Sequence, residues 1–171
     1  DGISNEKISP ANGGKDGPKQ LWKKEVGTGV SSVAVEGGRL YTMGNNGSTD
    51  VVFCLDAATG AEIWRHTYPQ SLDPRQFEGG PAGTPTVDGD RVYTLSHEGD
   101  LFCLSASNGK VLWRKNLLRD FGGSRQRWGY AGSPLVDGNL VIVDSGGVGA
   151  SSVALDKTTG ALKWKAGNDE A

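Results

Sequence analysis

Three stretches of this chain are near copies of one another, and that repetition constrains the fold more than any other feature. They read "VSSVAVEGGRLYTMGNNGSTDVVFCLDAATGAEIWRH", "AGTPTVDGDRVYTLSHEGDLFCLSASNGKVLWRK" and "AGSPLVDGNLVIVDSGGVGASSVALDKTTGALKWKA". The closing tryptophans Trp64, Trp113 and Trp164 stand 49 and 51 residues apart, and Gly60, Gly109 and Gly160 keep the same spacing. Gly37, Gly89 and Gly138 mark an earlier turn at spacings of 52 and 49. A period near 50 residues suits a four-stranded propeller blade and is too long for a helical-hairpin repeat. The expectation is an all-β fold: a β-propeller of four-stranded antiparallel blades.

Each unit divides into four strand-sized pieces. In the third, "SPLV" is strand A, "DGN" turns the chain into "LVIV" as strand B, "SSVAL" is strand C, and "DKTTG" leads into "ALKWK" as strand D. "DG" favours a tight hairpin because glycine accepts positive φ. In the longer D-x-x-T-G turn, Asp156 is placed to accept backbone N–H bonds while Gly160 takes the left-handed position. The strands are short, rich in Val, Leu, Tyr and Phe, and apolar on both faces, as sheets sandwiched between sheets must be. The tryptophan on each outer strand then reads as a wedge against the neighbouring blade. Its burial removes roughly 200 Å² from water, on the order of several kcal/mol before entropy is counted.

Bulk properties agree and narrow the functional classes. Glycine is abundant at 27 of 171 residues and spread along the chain, which fits many turns. A formal charge of −2 argues against nucleic acid or an anionic membrane as partner. No apolar run approaches the ~18 residues that a transmembrane helix needs.

Residues 1–20 read as an extended lead-in and 21–26 as the outer strand of a closing blade. Blades 1, 2 and 3 follow at 27–68, 69–117 and 118–171. Three blades and one extra outer strand do not close a ring, since propellers close with ~4–8 blades. The chain is therefore expected to be the N-terminal part of a larger propeller, ~400 residues in all, that needs the remaining blades. Assembly from several copies is the alternative.

The motif resembles the quinoprotein-like, or PQQ-like, propeller repeat, whose tryptophan-docking pattern is A-x-D-x-x-T-G-x-x-x-W. Ala154, Asp156, Thr159, Gly160 and Trp164 match throughout; unit 1 matches through Asp56, Thr59, Gly60 and Trp64, with Cys54 for Ala. Unit 2 keeps Gly109 and Trp113 but has Cys103, Ser105 and Asn108 elsewhere. Kelch is the runner-up, because "GGRLYTMGNNG" has its flavour. The resemblance implies either a dehydrogenase dependent on pyrroloquinoline quinone (PQQ) and Ca²⁺ or a cofactor-free scaffold such as the BamB-like outer-membrane assembly lipoproteins. It also implies a periplasmic or otherwise extracytoplasmic location. In the dehydrogenases it implies a vicinal Cys-Cys disulfide, a calcium held by Glu, Asn and Asp, and a catalytic Asp. Cys54 and Cys103 are 49 residues apart, on blades whose sheets lie about 10 Å apart. Two free buried thiols are expected, because a disulfide needs Cα atoms within ~7 Å.

The reading favoured by these residues is a non-catalytic scaffold that binds a protein or peptide, with no catalytic residue, no metal site and no cofactor assigned. The alternatives are a fragment of a PQQ-dependent dehydrogenase and a carbohydrate-binding propeller. Function in propellers sits on the end loops. The two long D–A loops, "YPQSLDPRQFEGGPAG" and "LLRDFGGSRQRWGYAG", exceed the ~12–15 residues beyond which loops are usually functional or disordered. Arg75 and Glu78 (with Phe77) in the first, and Arg125, Arg127, Trp128 and Tyr130 (with Arg119) in the second, are the candidate contact residues, since arginine and aromatics anchor interfaces. The competing reading packs Trp128 and Tyr130 into the loop and leaves the arginines solvated. Ser32, Thr84 and Ser133 begin the innermost strands, where their hydroxyls face the channel mouth or satisfy strand ends. His97, Glu98 and Asp100 read as a turn rather than a metal site, and His66 as an exposed surface residue.

Overall fold

In the computed structural model, described for residues 19–73, 79–125 and 127–169, the chain forms three four-stranded antiparallel sheets. The first sheet holds β1 (Ala34–Glu36), β2 (Arg39–Asn45), β3 (Thr49–Asp56) and β4 (Glu62–Pro69). The second holds β5 (Thr86–Asp88), β6 (Arg91–Leu95), β7 (Asp100–Ser105) and β8 (Val111–Asn116). The third holds β9 (Leu135–Asp137), β10 (Leu140–Gly147), β11 (Ala150–Asp156) and β12 (Leu162–Ala166). Each sheet runs in simple chain order from inner to outer strand. The sheets do not close on one another, so this is a partial propeller.

The D-x-x-T-G turn is built by its own side chains. Asp56 Oδ1 accepts from Ala58 N at 3.1 Å, Thr59 N at 2.8 Å and Thr59 Oγ1 at 2.7 Å. Asp156 repeats the pattern at 3.0, 3.0 and 3.1 Å. Thr59 and Thr159 each accept a second bond from the N–H two residues on, both at 3.3 Å. Blade 2 has no threonine here, and Asn108 Oδ1 takes over that bond from Lys110 N at 3.0 Å. The turn survives its divergent sequence because an amide oxygen sits where the hydroxyl would.

Each turn glycine receives a tryptophan from the preceding segment. A Cβ at Gly60, Gly109 or Gly160 would lie 2.6, 2.6 or 2.8 Å from the ring carbons of Trp22, Trp64 and Trp113. All three glycines hold φ of 70–71°, so conformation and contact both demand glycine. The indole N–H groups donate to the carbonyl three residues before that glycine: Ala57 at 3.1 Å, Ala106 at 2.9 Å and Lys157 at 3.1 Å. A bulge in the outer strand aims the ring. The register skips Ile63, Leu112 and Lys163, the residue before each tryptophan, and a bulge re-aims the side chain beside it.

Between blades 1 and 2 lie Tyr41, Met43, Val52, Cys54, Trp64, Val92, Phe102 and Leu104. Between blades 2 and 3, Tyr93, Leu95, Leu101, Cys103 and Trp113 meet Val141, Val143, Val153 and Leu155. Both cysteines are buried and free. Burial pushes the Cys103 thiol up to about 11 and raises Cys54 as well.

Residues 21–26 pair with no strand among the described residues, and Trp22 lies on Gly60 as the later tryptophans lie on their turn glycines. Two local features differ from the sequence reading. The second long loop opens with a one-turn helix, α1 (Leu117–Phe121), capped by Asn116, whose side chain accepts from Arg119 N, and ended by Gly122 at φ 70°. His66 is not an exposed residue. Its ring packs edge-on against Phe102 at 5.2 Å, and burial, then Arg114, lowers its pKa.

Candidate partner-binding loop face

The long D–A loops and the short B–C turns meet at one end of the sheets, and a charged clasp ties them. Arg125, from the loop between β8 and β9, pairs with Asp73 Oδ2 at 2.7 Å in the loop between β4 and β5. It also bonds Glu98 in the β6–β7 turn. Beneath the clasp His97 is only 1% exposed, with Nε2 3.4 Å from Gln70 Nε2 and 3.7 Å from Glu98 Oε1. Burial, then the Arg125 charge, holds its pKa below the ordinary value, so the ring is neutral at pH 7. Asp100 faces the other way, bonded to Arg114 at 2.9 Å and Asn116 Nδ2 at 3.0 Å.

The second loop folds down through Tyr130. Its N–H donates to His97 O at 3.0 Å, its hydroxyl to Ser145 O at 2.8 Å, and its ring covers Gly99. Burial raises the phenol to about 12. Trp128 takes no part in this packing: it is 57% exposed, with the Arg127 guanidinium 5.2 Å from its ring centre. Arg125 and Tyr130 are thus drawn into the scaffold of the loop, whereas Arg127 and Trp128 are presented outward. Arg75, Phe77 and Glu78 lie outside the described residues.

A cavity of about 510 Å³ opens beside Trp128, lined by Tyr130, Ser133, Asp144, Ser151, Ser152 and Asp169 among others. The sequence reading missed Asp144 and Ser152 because strand positions were counted as core. At the inner strands, Ser32 N donates to Thr84 Oγ1 at 3.3 Å and Thr84 N to Ser133 Oγ at 2.9 Å. Each of these two hydroxyls satisfies the strand start of the preceding blade.

Among the described residues no three His, Cys, Asp or Glu side chains cluster so as to hold a metal ion. The chain has no vicinal cysteines. No helix among the described residues is long and apolar enough to cross a membrane.

The family model described as outer membrane protein assembly factor BamB matches residues 10–73 and 48–171. The chain belongs to that family of PQQ-like propellers. BamB from Moraxella catarrhalis superposes with a TM-score of 0.51 at 24% identity, covering 81% of this chain and 35% of that one. Quinohemoprotein alcohol dehydrogenase from Comamonas testosteroni gives a TM-score of 0.59 at 27% identity, covering 82% and 21%. The quinohemoprotein alcohol dehydrogenase ADHIIG from Pseudomonas putida HK5 gives 0.61 at 23%, covering 85% and 21%. This BamB-family chain spans between 21% and 35% of the length of those three structures. No curated protein matches it.

Proposed function

We propose that this chain is the N-terminal part of a larger, non-catalytic propeller that binds a protein or peptide through its loop face, in an extracytoplasmic compartment. The observation that carries the reading is Trp128. A tryptophan left more than half exposed on a loop that is otherwise bonded down is a poor packing residue and a good anchor. The Arg125 clasp supports the same reading, because loops ordered before binding lose less entropy when a partner arrives. Arg127 and Trp128 are the contact residues in this account; Arg125 and Tyr130 hold the loop. Arg75 and Glu78, in the first long loop of the sequence, are proposed as further contact residues. The family description, with its outer-membrane assembly role, supports the location and the class of partner.

The test is photo-crosslinking in the intact protein, with p-benzoylphenylalanine in place of Trp128. A discrete protein adduct from position 128, and none from Glu36 on the inner strand of blade 1, supports the reading. Equal or absent adducts at both positions overturn it.

A second reading, part of a quinoprotein dehydrogenase, draws on the 27% identity with the Comamonas enzyme. Its cofactor groups would have to come from outside these residues. Saturable PQQ and Ca²⁺ binding with dye-linked alcohol oxidation by the intact protein would favour it. A carbohydrate ligand along the channel is the remaining alternative, and Trp128→Ala would weaken it.

A further inference from the structure

Blade 2 places a titratable ring where blade 1 places a neutral amide. Asn45 and His97 each stand four residues after the tyrosine, Tyr41 or Tyr93, that pairs with the buried cysteine. Asn45 is bonded at both ends: Nδ2 donates to Asp50 Oδ1 at 2.7 Å and to Gln70 O at 2.8 Å, and Oδ1 accepts from Gly47 N at 2.6 Å. His97, equally buried, is not satisfied in this way. Its Nδ1 has no hydrogen-bond partner among the described residues. Its Nε2 lies 3.4 Å from Gln70 Nε2 and 3.7 Å from Glu98 Oε1. A buried polar atom left unpaired costs stability, so its retention calls for an explanation.

Charged groups reach the ring from three elements. Glu98 follows it in the β6–β7 turn, Asp73 comes from the loop between β4 and β5, and Arg125 comes from the loop between β8 and β9. Gln70 and the Tyr130 N–H add only neutral contacts, and the Tyr130 hydroxyl is turned away to Ser145 O. Burial and the Arg125 charge disfavour a proton on the ring, and Asp73 favours one.

The neutral ring accepts from the Gln70 amide at Nε2, which places its one proton on Nδ1. A second proton turns Nε2 into a donor. Nε2 then faces the Gln70 N–H groups donor to donor. Its nearest acceptor becomes Glu98 Oε1, the same oxygen that Arg125 Nη1 bonds. Two cations on one oxygen repel each other.

We propose that His97 is a pH-sensitive latch: its protonation in mild acid expels Gln70, takes Glu98 Oε1 from Arg125, and so loosens both long loops from the β6–β7 turn. The latch governs the order of the loops and holds whether or not they bind a partner. Its sign follows from linkage. A ring whose pKa the closed clasp lowers from 6.5 stabilises closure above that pH, and the contribution fades as pH falls through the lowered value.

Hydrogen-exchange protection factors of the intact protein at pH 7.5 and 5.5 test this, a window above the range in which carboxylates ordinarily titrate. Protection at residues 70–73 and 96–99 should fall about tenfold at pH 5.5, with β6 and β7 unchanged. His66→Gln should behave as wild type, and His97→Asn should lose the pH dependence. Equal wild-type protection at both pH values overturns the latch, as does an undiminished fall in His97→Asn or a loss that extends through the strands. Should His97→Asn loosen the loops at both pH values, the wild-type ring decides by NMR. A His97 titration that coincides with the loss of protection supports the latch, and a ring still neutral where protection is lost overturns it.

Discussion

The aspartates of the C–D turns are the residues whose charge the fold uses most directly. Asp156 lies beside Lys163 Nζ at 3.1 Å and accepts three bonds from Thr158 and Thr159. The Lys163 contact first, then the Thr159 N–H, holds its carboxyl at about 2 instead of the ordinary 3.8. A carboxyl depressed in the folded state stabilises above its unfolded pKa. That contribution is fully present above about pH 4 and fades as pH falls toward 2. Asp156→Asn should therefore flatten the fall in urea midpoint between pH 4 and 2 and leave the slope above pH 5 unchanged. Urea titrations across that range check it, and an unaltered acid limb refutes it. Asp56 is lowered too, by Thr59, but Ser105 of blade 2 carries no charge to titrate. These turn bonds are legible in the sequence, since an Asx-type turn closes within four or five residues.

At the scale of elements, what positions the loop face is a long-range contact. Arg125 reaches Asp73, 52 residues away, and Glu98, 27 residues away, so no local pattern announces it. Sequence reasoning groups Arg125 with Arg127 and Trp128 as neighbours of like kind, and only packing separates them. Arg125→Gln removes the cation shared by two loops and one turn. Amide exchange should quicken about tenfold or more at residues 70–73 and 96–99, while the strands β6 and β7 keep their protection. Mass-spectrometric hydrogen exchange reads this; unchanged loop rates would mean that the clasp orders nothing. The short helix α1 has a local signature, Asn116 before "LLRDF" and Gly122 after it, of the kind that caps a helix at both ends. Five residues carry no apolar periodicity, which is why the pattern that finds longer helices does not find this one.

For the whole molecule, the repeated fit of indole onto glycine leaves Trp164 without a turn glycine among the described residues. Trp64 and Trp113 are 8% and 9% exposed beneath the next turn, whereas Trp164 is 41% exposed on the last described sheet. In a polypeptide of these 171 residues, Trp113→Ala should cost ~3–5 kcal/mol, as buried tryptophans do. Trp164→Ala should cost less than half as much, because less of its surface leaves water on folding. Urea midpoints compare them, and equal costs would show that something covers Trp164. What the amino-acid sequence determined by itself was the architecture: period, turn glycines and tryptophans repeat about every 50 residues, and each acts within one hairpin or against the adjoining copy. The tertiary structure alone decided which loop residues face outward, that a bulge before each tryptophan aims it, and that His97 is buried beneath the Arg125 clasp. Those outcomes depend on which sheets lie side by side, and a linear pattern does not encode the neighbours that a side chain meets across a blade.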